Sequence, residues 1–272
     1  MTKNHDKELN LIKLFPSFLT MAGICIGVSA IKFALAEKWE LAVSFVVIAT
    51  IIDALDGKFA RALNATSSFG GHLDSLADFL NFGFAPIFIL YLWSMSEASK
   101  FGWAAVLFYT VCCAIRLARF NTSLDESEIE EEEKVEWKAG FFTGVPSPAG
   151  ALACVGPIIA ILAIEDKGFN IPEIVSFLSD AYFLVGYSAF LAILMASRIP
   201  TYSIKRVIVK RSYIYLVCII VAAFLVSFII QPWATIIIMG FIYYGLTPIS
   251  ALHYQSLANK NRSKNPKITS GK

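Results

Sequence analysis

From residue 16 onward the chain alternates long apolar runs with short polar breaks. The runs fall at 16–36, 40–63, 71–95, 101–121, 146–165, 181–199, 212–230 and 233–254. Each holds about 17–25 residues, the length that lets an α-helix cross a bilayer. Backbone polar groups in hydrocarbon must be satisfied internally, and runs this long and continuous predict helices. The expectation is an all-α polytopic membrane protein of about eight transmembrane helices, in a single domain covering residues 1–272. Pro16 suits the opening turn of the first helix. Gln231-Pro232-Trp233 predicts a tight hairpin between the last two. The first run continues to about Ala36, too far for a cleavable signal peptide, and no internal repeat is evident.

Charge orients this bundle. With the N-terminus on the cytoplasmic side, 19 of the 23 Lys and Arg residues also fall there, and only Lys32, Lys38, Lys100 and Lys167 fall opposite. Both termini and the polar end of the second run are therefore expected to be cytoplasmic. Composition agrees with a membrane protein: 57% of residues are hydrophobic, 16% are charged, and the mean hydropathy is +0.64. Soluble domains carry about 25% charged residues. The net charge of +2 says little about partners, and no nucleic-acid partner is expected. Cys25, Cys112, Cys113, Cys154 and Cys218 lie in apolar runs without metal-ligand spacing and are expected as small core residues. The densely acidic stretch within 122–140 predicts a solvated cytoplasmic loop. The basic tail, 255–272, reads most simply as a positive-inside tail and is also placed to touch anionic headgroups.

One stretch breaks the apolar pattern with chemistry. It reads Asp53-x2-Asp56-Gly57-x2-Ala60-Arg61-x8-Gly70-x3-Asp74-x3-Asp78. Carboxylates at membrane depth are costly, and four together repel one another. Hard divalent cations are the simplest compensation, since they prefer carboxylate oxygens. Asp53 and Asp56 are three apart, with Gly57 and Ala60 continuing their helical face; Asp74 and Asp78 are four apart on a second helix. If a loop of about ten residues joins the two helices, all four carboxylates converge on one pocket able to hold two metals. Gly57 and Ala60 leave the helix surface bare for a bulky ligand, and Arg61 can neutralise a phosphate. Gly70 and Gly71 are expected to relax the backbone before the second helix. Carboxylates, metals, small residues and one Arg suggest a phosphoanhydride substrate.

The pattern D-x2-D-G-x2-A-R-x8-G-x3-D-x3-D resembles the signature of the CDP-alcohol phosphotransferases, with all eight fixed positions present. Phe15-Pro16-Ser17, Asn81-Phe82-Gly83, Arg116-Leu117-Ala118-Arg119-Phe120-Asn121 and Phe142-Thr143-Gly144-Val145-Pro146-Ser147-Pro148-Ala149 are similar to the integral-membrane phosphatidylserine synthase branch. The resemblance covers about residues 11–250 and is strongest over 50–90 and 112–150. It implies transfer of a phosphatidyl group from CDP-diacylglycerol to L-serine with release of CMP. It implies that Asp53, Asp56, Asp74 and Asp78 hold two divalent cations, Mg2+ or Mn2+. Asp78 is also the expected general base. Asp56, Gly57, Ala60, Arg61, Gly70 and Asp74 are the expected CDP-binding set. It further implies a homodimer in a bacterial inner membrane. The acidic insertion is not a feature expected of every member.

The acceptor depends mainly on that resemblance. Arg116 and Arg119 are three apart on one helical face and are candidates for the serine carboxylate. Both also fit as interfacial anchors. Siblings using glycerol 3-phosphate, an inositol phosphate or choline carry the same aspartate signature. A metal-ion transporter is the alternative from another class, since intramembrane aspartates can line an ion path. The Gly-x2-Ala-Arg set and the lack of two related halves with broken helices weigh against it. His72, two residues before Asp74, is expected to be a loop residue; hydrogen bonding within the cavity by Asn81, three residues past Asp78, is the minority reading of that residue.

Overall fold

The computed structural model describes residues 11–63, 67–129, 141–202 and 214–264. Helix α1 (Leu11–Leu35) turns through a corner, with Glu37 at φ 56°, into α2 (Trp39–Ala62), and the two pack along each other. Helix α3 (Ser68–Asp78) passes through a π-helical turn (Phe79–Phe84) into α4 (Ala85–Trp93). Pro86 supplies the reason for the π turn. It has no N–H for the carbonyl of Phe82, so the regular ladder fails there. The backbone widens instead, and the Ala85 N–H reaches back five residues to the Leu80 carbonyl. Helix α5 (Lys100–Ile129) lies against this turn, and Thr110 Oγ1 donates to the Gly83 carbonyl at 3.2 Å.

The second half of the chain is more broken. Helices α6 (Ser147–Cys154) and α7 (Gly156–Asp166) meet at 54°. Pro157 cannot donate to the Ala153 carbonyl one turn back, and the Tyr187 hydroxyl donates to that carbonyl at 2.7 Å instead. Helices α8 (Pro172–Leu178) and α9 (Ala181–Ala196) meet at 56°. Helices α10 (Ile214–Ile230) and α11 (Pro232–Lys264) follow, joined at Gln231. A short antiparallel ladder pairs β1 (Phe141–Thr143) with β2 (Pro200–Tyr202), Phe141 opposite Tyr202.

The core lies where α1, α2, α4, α5, α6 and α9 meet. Tyr109, Phe82, Ile89, Leu90, Met195 and Leu184 are among its fully enclosed side chains. The outside is apolar too. Phe101, Leu107, Phe108, Val111 and Ile115 lie exposed along α5, and none of the described residues of α10 is buried. A surface apolar over this extent requires a lipid or protein neighbour. Among the described residues, four helical stretches are long and apolar enough to cross a membrane: Phe15–Leu35, Phe69–Trp93, Lys100–Thr122 and Pro232–Tyr254. The number rises to six if each bent pair is one span. Helix α2 has 24 residues, but the motif aspartates interrupt its apolar run, and α10 has only 17. Length and composition thus support four to six spans against the expected eight, although every predicted run coincides with helix.

Several expectations need correction. The third helix starts at Ser68, so Gly70, Gly71 and His72 are helical rather than linking residues. Helix α2 ends at Ala62 and α3 begins at Ser68, so fewer than the expected ten residues separate the two motif helices, and 64–66 lie outside the described residues. Residues 122–129 continue α5 instead of opening an acidic loop, and 130–140 lie outside the described residues. Likewise α11 runs on to Lys264, so part of the basic tail is helical; 265–272 lie outside the described residues. Cys112, Cys113 and Cys154 are buried, but Cys25 and Cys218 are exposed on the apolar helix surfaces.

Candidate active site

The site forms where the end of α2 meets the start of α3. Ser67, extended at φ −138°, caps α3 by accepting the Gly70 N–H at 3.0 Å, which satisfies one of the unpaired N–H groups of the first turn. This cap fixes the helical register that carries Asp74 and Asp78. Asp53, Asp56 and Asp74 each offer an oxygen to one cluster, and these oxygens lie within 4.8 Å of one another. Asp78 stands beside this group, close to Asp53 and in the field of Arg116.

The carboxylates are only partly satisfied. Asp56 is buried, and its Oδ2 lies 3.0 Å from Thr20 Oγ1. Its Oδ1, like Asp78 Oδ1, is buried without a hydrogen-bond partner among the described residues. An orphaned buried carboxylate oxygen is costly, and its neighbours here are further carboxylates. An all-oxygen, multiply anionic donor set suits a hard divalent cation such as Mg2+ or Mn2+. The residues present therefore fit the metals that the sequence implies.

The surface of α2 is bare at Gly57. A Cβ on Gly57 would meet no described atom within 4 Å, and Arg61 is exposed one turn further on. Ala60 lies on the same helix, and Gly70 sits in the first turn of α3, where a Cβ would come 3.1 Å from Ser67 Oγ. His72 is exposed.

The two arginines of α5 differ in what they hold. Arg116 Nη1 donates to Ser147 Oγ at 2.8 Å, while Nε is buried without a hydrogen-bond partner among the described residues. Its charge faces Asp78. Arg119 donates Nη1 to the Ala196 carbonyl at 2.9 Å and Nη2 to the Ser197 carbonyl at 3.1 Å. These carbonyls end α9, so Arg119 caps that helix. The adjoining turn needs Gly144: its φ is +79°, and a Cβ there would lie 2.8 Å from the Ser197 carbonyl oxygen. The Gly144 N–H in turn donates to the Ile199 carbonyl at 2.9 Å.

Sequence reasoning did not single out Thr20 or Ser75. Asn121 Nδ2 donates to Ser75 Oγ at 2.9 Å and ties α5 to the motif helix. Thr20 is a polar residue in an apolar run, a signal available in the sequence; Ser75 lies between two motif aspartates, where the carboxylates drew the reading.

Comparison with known proteins agrees with this geometry. Residues 13–166 match the CDP-alcohol phosphatidyltransferase family model, and the chain belongs to that family. It is an integral membrane protein. It is 34% identical to a CDP-diacylglycerol–serine O-phosphatidyltransferase of Mycobacterium leprae, over 90% of this chain and 76% of that protein. Identity to the enzyme of the same name from Helicobacter pylori strain J99 is 31%, over 94% of this chain and 99% of that protein. A third, from Methanocaldococcus jannaschii, is 33% identical over 51% of this chain and 57% of its own length.

Proposed function

We propose that this protein transfers the phosphatidyl group of CDP-diacylglycerol to the hydroxyl of L-serine, giving phosphatidylserine and CMP. The observation that carries the reading is the convergence of Asp53, Asp56 and Asp74 beside the bare face of Gly57, in a chain similar along most of its length to serine phosphatidyltransferases. Asp53, Asp56, Asp74 and Asp78 would hold two divalent cations, Mg2+ or Mn2+. Bound there, the metals would neutralise the pyrophosphate and the departing CMP. Gly57, Ala60, Arg61 and Gly70, with Asp56 and Asp74, form the CDP surface, and Arg61 meets a phosphate.

Asp78 receives the proton of the serine hydroxyl. That hydroxyl ionises far above neutral pH and needs an adjacent base to attack. Its oxygen forms a bond to the phosphorus bearing the diacylglycerol as the bond from that phosphorus to the CMP oxygen breaks. Of the two arginines, Arg116 is the better partner for the serine carboxylate, because it faces Asp78 and has a buried, uncommitted Nε. Arg119 spends its donors on α9.

An apolar groove of about 640 Å³ supports the lipid half of the reading. Val47, Thr50 and Ile51 of α2 line it, with Tyr187, Phe190 and Phe241 opposite. Thr50 lies one turn before Asp53, so acyl chains can follow the same helix away from the site. We read α2 and α10 as two further spans beside the four long helices and the two bent pairs. The excess of Lys and Arg supports a cytoplasmic position for the site and both termini; the family resemblance adds a bacterial inner membrane and a homodimer to this reading, with the whole chain as one domain.

The test is CMP release by purified protein in detergent with CDP-diacylglycerol, a divalent cation and one acceptor at a time. Release with serine alone is expected. Release with glycerol 3-phosphate, inositol phosphate or choline alone would move the chain to a sibling activity. No release with any acceptor, and no binding of CDP-diacylglycerol, would favour an ion pathway.

A further inference from the structure

The first helix lies outside the aspartate motif, yet it touches both halves of it. Thr20 Oγ1 is 3.0 Å from Asp56 Oδ2 and also 3.0 Å from the Pro16 carbonyl one turn back, so its one proton serves two acceptors. Threonine back-bonding of this kind anchors the hydroxyl to its own helix. Three and seven residues on, along the same face, come Gly23 and Gly27. Both lie against Asn81, which stands three residues after Asp78 in the π-helical turn. A Cβ on Gly27 would collide with Asn81 Oδ1, and one on Gly23 would lie 3.6 Å from Asn81 Nδ2 and 3.6 Å from Ile52 Cγ2. Asn81 is 3% exposed, and its Oδ1 has no hydrogen-bond partner among the described residues. Steric fit into the space left by two glycines therefore locates this amide, rather than hydrogen bonding of its oxygen.

We infer that α1 is a spacer that sets the separation of the two halves of the carboxylate cluster. Thr20 grips Asp56 on α2. The bare backbone at Gly27 seats Asn81, and through the π turn it fixes Asp78 and Asp74. Thr20 and Asn81 are then positioning residues for the metal ligands. Widening the α1 seam by one methyl group moves Asn81 and pulls the ligand set apart. This inference rests on the metal reading above.

The experiment uses the full chain in detergent, with Mn2+ alone as the probe. Uptake is followed by loss of the free-ion electron paramagnetic resonance signal, and thermal unfolding is recorded without metal. Thr20→Val keeps the shape and removes the hydroxyl; Mn2+ affinity should fall by about tenfold, the worth of one hydrogen bond to a charged group. Gly27→Ala should weaken uptake at least as much, and Asn81→Ala, which empties the seat, should weaken it as well. Turnover should fall in kcat with little change in the serine KM. A merely structural role for α1 would lower the metal-free unfolding temperature and leave affinity alone. If wild-type protein binds Mn2+ and Thr20→Val binds it equally well, the inference is wrong even should Gly27→Ala fail to fold. If wild-type protein takes up no Mn2+, the metal reading falls and this inference falls with it.

Discussion

Arg119→Ala separates the two tasks the arginine pair can perform. In the structure Nη1 and Nη2 of Arg119 reach the Ala196 and Ser197 carbonyls at 2.9 and 3.1 Å. Alanine removes both hydrogen bonds and the charge at the end of α9. A hydrogen bond to a charged group contributes about 1.5–3 kcal/mol, and the two are not additive. Water can reach carbonyls that are only partly buried and reduce the loss further. A destabilisation of about 2–4 kcal/mol follows, with little of it recovered by lysine, which lacks the planar fork. Thermal unfolding in detergent should show the apparent Tm falling by about 5–10 °C. Steady-state kinetics below that temperature should show the KM values for serine and CDP-diacylglycerol shifting together. An unchanged Tm with a selective rise in the serine KM would refute the helix-cap reasoning and return Arg119 to the acceptor pocket.

The other perturbations probe separate parts of the site. Asp78→Asn should abolish turnover while CDP-diacylglycerol binding persists; normal turnover would remove Asp78 as the base. Gly57→Ala adds a Cβ that meets no described atom within 4 Å, so it should raise the KM for CDP-diacylglycerol by tenfold or more, an effect of about 1.4 kcal/mol or above, without loss of stability; an unaltered KM would mean the nucleotide lies elsewhere. Tyr187→Phe orphans the Ala153 carbonyl, which Pro157 cannot serve, and should cost about 1–3 kcal/mol in unfolding with kcat retained. A stability equal to wild type would show that water replaces the hydroxyl.

The helices were legible because lipid leaves the backbone few options, so apolar length alone locates them. The carboxylate cluster was legible as well, since charges in such a setting stand out and their spacing states which helical faces they share. Bends were less visible. Pro157 and Pro86 are plain in the sequence, but whether a proline kinks a helix, widens it into a π turn or begins a new one depends on who serves the freed carbonyl. Here Tyr187 serves one case and a five-residue return to Leu80 the other. Gly70 and Gly71 suggest a link in the sequence, whereas the Ser67 cap carries α3 through them. The arginines show the same limit. Sequence spacing puts Arg116 and Arg119 on one face, but only the position of α9 reveals that Arg119 is engaged by its carbonyls. Thr20 and Gly27 escaped notice because their partners, Asp56 and Asn81, lie far along the chain.

The most direct test of the central claim is a stoichiometry. Purified protein is given CDP-diacylglycerol and isotopically labelled L-serine, and label in the lipid phase is counted against CMP released, before and after chelation of divalent metal. The account predicts one labelled phosphatidylserine for each CMP, loss of both on chelation, and recovery of both with Mg2+ or Mn2+. CMP released without label in lipid, or labelled lipid formed at full rate after chelation, would contradict it.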